Sequence, residues 1–118
     1  MSDIPFHQCK TLPLQLRYDY LQAIAAGVKL WEGRLLASVL QITRGRFPCP
    51  RCTVCLFTGS KGTLRCAIAQ IVLSTDLTLI TADNYISFIP CAESYIHARA
   101  VYAAMGPGPY IFLRLRLP

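Results

Sequence analysis

Apolar and polar positions alternate in short runs along most of this chain, and two stretches switch to a helical repeat. Leu12, Leu14 and Leu16 alternate with Pro13 and Gln15, which predicts a short edge strand where proline is tolerated. Tyr18, Leu21, Ile24 and Ala25 recur at i, i+3, i+6 and i+7, a helical stripe running to Ala26. Asp19 suits the start of that helix, and Gly27 suits the left-handed residue that ends one. Trp31 to Leu36 reads as a strand, and Val39 to Ile42 is apolar and fits either period. Arg44 to Cys52 contains Gly45, Pro48 and Pro50 and reads as a loop. Thr53 to Thr58 then predicts a buried strand, Gly59-Ser60-Lys61-Gly62 a hairpin turn, and Leu64 to Leu73 a long strand. Asp76 to Thr81 is loop or short strand, and Ala82 to Phe88 leads into Pro90. Ala92, Tyr95, Ile96, Arg99, Tyr102 and Ala103 restore the helical spacing, which Gly106-Pro107-Gly108-Pro109 breaks. The last segment, Tyr110 to Leu117, alternates strictly. It predicts Ile111, Leu113, Leu115 and Leu117 toward a core, with Tyr110, Phe112, Arg114 and Arg116 on the other face.

Several short strands with two main helices give an α+β fold around a small, mostly antiparallel sheet. At 118 residues the chain is read as one domain, residues 1–118, with a polar arm over 1–10. Its 53% hydrophobic residues against 15% charged argue for a packed core rather than disorder.

Charge sharpens the picture. Twelve Lys and Arg against six Asp and Glu leave a formal +6, which favours an anionic partner. The opening residues lack a basic, then apolar, leader pattern, and no uncharged apolar run reaches the roughly 18 residues of a membrane helix. The expectation is a soluble intracellular protein of cytoplasm or nucleus, with no membrane partner. Six cysteines without an export signal read as thiols. Cys49, Cys52 and Cys55 are closely spaced, but a zinc site usually needs two such pairs, and Cys55 falls inside a predicted strand. No metal or other cofactor is expected, and His97 reads as an ordinary helix-surface or core histidine.

The densest polar chemistry is Gly27-Val28-Lys29-Leu30-Trp31-Glu32-Gly33-Arg34. After the helix stop the chain turns extended, which puts Lys29 with Trp31 on one face and Glu32 with Arg34 on the other. Spacing alone fits a surface ion pair as well as a site. Gly-x-Lys-x-x-Glu-x-Arg after an amphipathic helix resembles the signature of ASCH domains, a branch of the PUA-like superfamily, with Leu30 where that family usually has threonine. The likeness spans residues 12–117 and implies a curled, barrel-like sheet. It also implies a cleft between the first helix and the sheet that takes nucleic acid or a nucleotide-like ligand.

In that cleft Lys29 and Arg34 would neutralise phosphate, Glu32 would orient Arg34, and Trp31 would stack a base, worth about 1–3 kcal/mol. Arg44, Arg46 and Arg51 cluster on the loop with Phe47, Lys61 and Arg65 lie on the hairpin, and Arg114 and Arg116 share a strand face with aromatics. Basic groups interleaved with aromatics suit RNA or single-stranded DNA; alternatively, arginine stems simply cover apolar sheet surface. One family branch, the N4-acetylcytidine amidohydrolases, resembles this chain in the same motif. That branch implies a Lys, a Thr three residues later and a distant Glu. Lys29 matches the Lys, but Glu32 stands at the Thr position. The chemistry left is Lys29 beside Glu32, as a base if desolvation lowers its pKa. Amide hydrolysis on a modified nucleoside, or a ribonuclease activity, is therefore the alternative to a binding module that holds RNA in a basic cleft.

Overall fold

The computed structural model describes residues 11–117; the arm expected over 1–10, with His7, Cys9 and Lys10, lies outside the described residues. Five strands form one sheet: β1 (Thr11–Gln15), β2 (Trp31–Leu35), β3 (Val54–Gly59), β4 (Gly62–Ser74) and β5 (Tyr110–Arg116). Their order is β1-β3-β4-β5-β2. β1 runs parallel to β3, and the other pairings are antiparallel. The sheet curls into an open half-barrel whose free edges are β1 and β2. The expected α+β class and curled sheet are both present, and Pro13 sits on an edge strand as its missing N–H requires.

Helix α1 (Tyr18–Ala25) buries Leu21 and Ile24 against the sheet. Its end follows the sequence signal. Gly27 adopts φ 78°, its N–H reaches the Ile24 carbonyl at 3.0 Å, and the Val28 N–H reaches Ala23 at 2.9 Å. This 6→1 and 5→2 pair is the Schellman arrangement, which redirects the chain at once toward β2.

Three sequence expectations change. Val39 to Ile42 belongs to a helix, α2 (Leu36–Thr43), which follows β2 directly. Only Val39 of α2 is buried, so its apolar stripe is too thin to reveal the period. Tyr85–Phe88 forms a single helical turn, α3, ahead of α4 (Tyr95–Ala103). Leu117, expected in the core, is exposed, because β5 ends at Arg116.

β5 also corrects the view of its two faces. Ile111, Leu113 and Leu115 enter one core with Leu12, Leu14, Phe57 and Ile68. Tyr110 and Phe112 enter a second core with Ile80, Phe88, Ala98 and Tyr102 under α3 and α4. The strand is covered on both faces, and its aromatics are structural rather than ligand-facing. Each fully buried ring of this kind stabilises by about 1.5–3 kcal/mol.

Candidate functional site

The redirected chain after Gly27 is pinned by backbone bonds on both sides of Leu30. Its N–H donates to the Ser87 carbonyl and its carbonyl accepts from Leu115, both at 2.8 Å. Lys29 is thereby carried inward and is only 1% exposed. Its ammonium has three donors, and three acceptors meet them: the carbonyls of Trp31 at 2.7 Å and of Phe88, and Glu32 Oε1 at 3.3 Å. Burial pulls the Lys29 ammonium below its ordinary value, and the Glu32 charge pulls it back up.

Glu32, 4% exposed, holds a second cation. Arg34 Nε donates to Glu32 Oε2 at 2.6 Å, and Arg34 Nη2 donates to the Gln15 carbonyl at 2.6 Å. That last bond ties β2 to the end of β1 across the open side of the half-barrel. The pairing of Glu32 with Arg34 expected from spacing is present. Lys29, expected on the other face with Trp31, instead precedes β2 and joins the same carboxylate.

These groups line one wall of a cleft of about 410 Å³ between the α1 entrance, β2, the start of α2 and the end of α4. Arg17, Tyr20, Ser38 and Tyr102 complete it. Arg17 is clamped by Asp19 at 2.6 Å and lies 4.5 Å from the Tyr20 ring centre. Burial pushes the Tyr20 hydroxyl up to about 12. The Tyr102 hydroxyl is buried and has no hydrogen-bond partner among the described residues. Burial, and then the Glu32 charge, push it well above its usual range, and the Gly33 backbone pulls it slightly back. Gly33 is the residue that lets this ring approach. A Cβ there would lie 2.5 Å from the Phe112 ring and 2.7 Å from Tyr102.

The other expected residues lie elsewhere. Trp31 stacks on Phe88, with centroids 5.3 Å apart and planes 7° apart, and Arg114 sits 5.9 Å from its centre. Its ring is part of the second core rather than of the cleft wall. Arg44, Arg46 and Arg51 are exposed on the loop after α2. Lys61, on the hairpin, lies 5.0 Å from the Tyr18 ring centre. Arg65 and Arg116 are exposed on β4 and β5, and none of these seven basic residues lines the cleft. Sequence reasoning missed Arg17, Tyr20, Ser38 and Tyr102. Tyr102 was visible only as one position of a helical stripe, which reads as core. A second, shallower groove of about 800 Å³ shares Gln15, Leu16 and Arg17 with the cleft and runs along Thr58, Gly59 and Ser60 toward the hairpin.

Among the described residues, no three or more His, Cys, Asp or Glu are grouped to hold a metal. No helix among them is long and apolar enough to cross a membrane.

The fold and its cleft define an α+β protein built on a curled five-stranded half-barrel. The crystal structure of hypothetical protein PH0355 shares it, with a TM-score of 0.67 and 18% identity over 90% of this chain and 97% of that one. The solution structure of protein PF0455 from Pyrococcus furiosus gives 0.60 and 16% identity over 90% and 96%. At these identities the likeness establishes the fold. No family model and no curated protein matches the chain.

Proposed function

We propose that this chain is an ASCH/PUA-like binding module that holds one unpaired nucleotide of an RNA, or of single-stranded DNA, in the 410 Å³ cleft. One observation carries the reading: a buried tyrosine hydroxyl without a partner, Tyr102, stands on the wall of an open cleft. Buried polar groups are nearly always bonded, and an orphan beside a ligand-sized space is satisfied when that space fills. The hydroxyl and the Glu32–Arg34 pair would read the polar edge of a base. Tyr20 offers a half-exposed ring, and Arg17 offers charge at the mouth. The adjoining groove would lead the strand toward Lys61. In this reading Lys29 shapes the wall and is not a phosphate contact, since its three donors are already used.

The enzyme alternative fares worse on the same geometry. A general base needs a free lone pair, and although burial lowers the Lys29 value, its three N–H groups are already met by three acceptors in the wall.

The test is fluorescence anisotropy with a short labelled RNA, single-stranded and as a duplex. Single strands should bind at low salt, weakening by about 0.7 log unit per log unit of salt for each phosphate contacted. The duplex should bind more weakly, because a cleft of this size admits an unpaired base. Absence of low-salt binding, or equal affinity for both forms, overturns the reading. N4-acetylcytidine incubated with the protein should remain intact.

A further inference from the structure

The loop that separates α2 from β3 holds a second chemical feature, unrelated to the cleft. Cys49-Pro50-Arg51-Cys52 forms a tight turn: the Cys49 carbonyl accepts from the Cys52 N–H at 3.2 Å and from the Thr53 N–H at 2.9 Å. Pro50 occupies the second turn position, where its fixed φ favours the bend. Thr53, itself 2% exposed, closes the ring by accepting the Cys49 N–H on its Oγ1 at 2.9 Å. A bonded four-residue turn holds its end Cα atoms within about 7 Å, and a disulfide spans about 4.4–6.8 Å.

Both cysteines are half-buried rather than enclosed in either core. Cys55, three residues on, is fully buried in the first core and is not part of the pair. Hydrogen bonding from the Cys52 thiol first, and then from the neighbouring backbone, pulls the Cys49 thiol below its usual range. Cys91, which is more exposed and meets the Tyr20 hydroxyl at 3.7 Å, stands outside this turn and serves as an internal reference.

We propose that Cys49 and Cys52 form a reactive dithiol that undergoes exchange with low-molecular-weight disulfides, with Cys49 as the attacking sulfur and Cys52 as the resolving one. The Cys49 thiolate attacks one sulfur of the small disulfide, forming a mixed disulfide and expelling one small thiolate. Cys52 then gives up its proton and attacks the Cys49 sulfur. The Cys49–Cys52 bond forms, the second small thiol leaves, and the protein has lost two electrons to the reagent.

The experiment treats the whole chain with oxidised glutathione and follows each cysteine by peptide mass spectrometry without reduction. In the wild type the Cys49–Cys52 disulfide should form at least about tenfold faster than the mixed disulfide on Cys91. Cys52→Ser should accumulate glutathione on Cys49, and Cys49→Ser should slow modification of Cys52. Alkylation of the unsubstituted protein with iodoacetamide, which needs no variant, should label Cys49 before Cys91. Equal rates at Cys49 and Cys91, or a mixed disulfide on Cys49 that Cys52 never resolves, would overturn the proposal. So would stoichiometric zinc held on the pair in the purified protein.

Discussion

Two regions of this molecule carry cations close together in sequence, and they use them in opposite ways. Between Lys29 and Arg34 two cations share one buried carboxylate, and five contacts to that carboxylate or to backbone carbonyls hold them in place. Between Arg44 and Arg51 three arginines stand exposed on a loop. Removing charge from the first region strands a buried partner, whereas removing it from the second only changes the field around the protein. Local density of charge in a sequence therefore says little about role until burial is known.

The comparison breaks most sharply at Lys29. Lys29→Ala should cost about 3–5 kcal/mol, because it removes one partner of a buried pair and leaves two carbonyls without a donor. Urea denaturation measures it, and a loss below about 1 kcal/mol would show the ammonium to be incidental. Gly33→Ala comes next. Its Cβ would meet the Tyr102 and Phe112 rings, both fixed in the second core, so about 1–3 kcal/mol of overpacking is expected. Thermal unfolding of that variant should also report a displaced Tyr102.

A smaller effect lies in the alkaline range. Burial pushes the Cys66 thiol up from 9.0 to about 11. A raised folded value means its contribution to stability is present below pH 9 and is lost as pH rises toward about 11. Denaturation midpoints across that window should fall, and Cys66→Ala should flatten the fall. Lys29 acts in the opposite sense, since its value is lowered, so the Cys66 comparison must be made variant against wild type. The smallest effects belong to the loop. Arg44→Ala and Arg46→Ala should each change stability by no more than about 0.5 kcal/mol. They should weaken RNA binding mainly at low salt.

Much of the fold was legible because its signals are local. The Tyr18–Ala25 stripe, the Gly27 stop, the Gly59–Gly62 turn and the alternation of β5 each depend on neighbours in sequence. What stayed hidden depends on distant contacts. Phe112 alternates as if half-exposed, yet α3 and α4 cover its face. Arg34 was paired correctly with Glu32, but its bond to Gln15 follows from curling that brings β1 and β2 together. Trp31 looked like a stacking platform and is already stacked on Phe88, a residue far away in the chain. The cleft itself was half visible: its acidic and basic wall came from one motif, while Tyr20 and Tyr102 came from two helices whose apolar stripes read as core.

The central claim is that the Tyr102 hydroxyl is kept for a ligand, and Tyr102→Phe tests it most directly. The ring's packing against Phe112, 5.4 Å between centroids, is retained in that variant, so the fold is preserved. Denaturation and RNA anisotropy should be measured on the same preparation. The free protein should become as stable or more stable, by about 1 kcal/mol, because a buried unbonded hydroxyl is removed. Single-stranded RNA affinity should fall about tenfold, equivalent to about 1.4 kcal/mol. A folded Tyr102→Phe protein that binds RNA as tightly as the wild type, or one destabilised with affinity unchanged, would contradict the account.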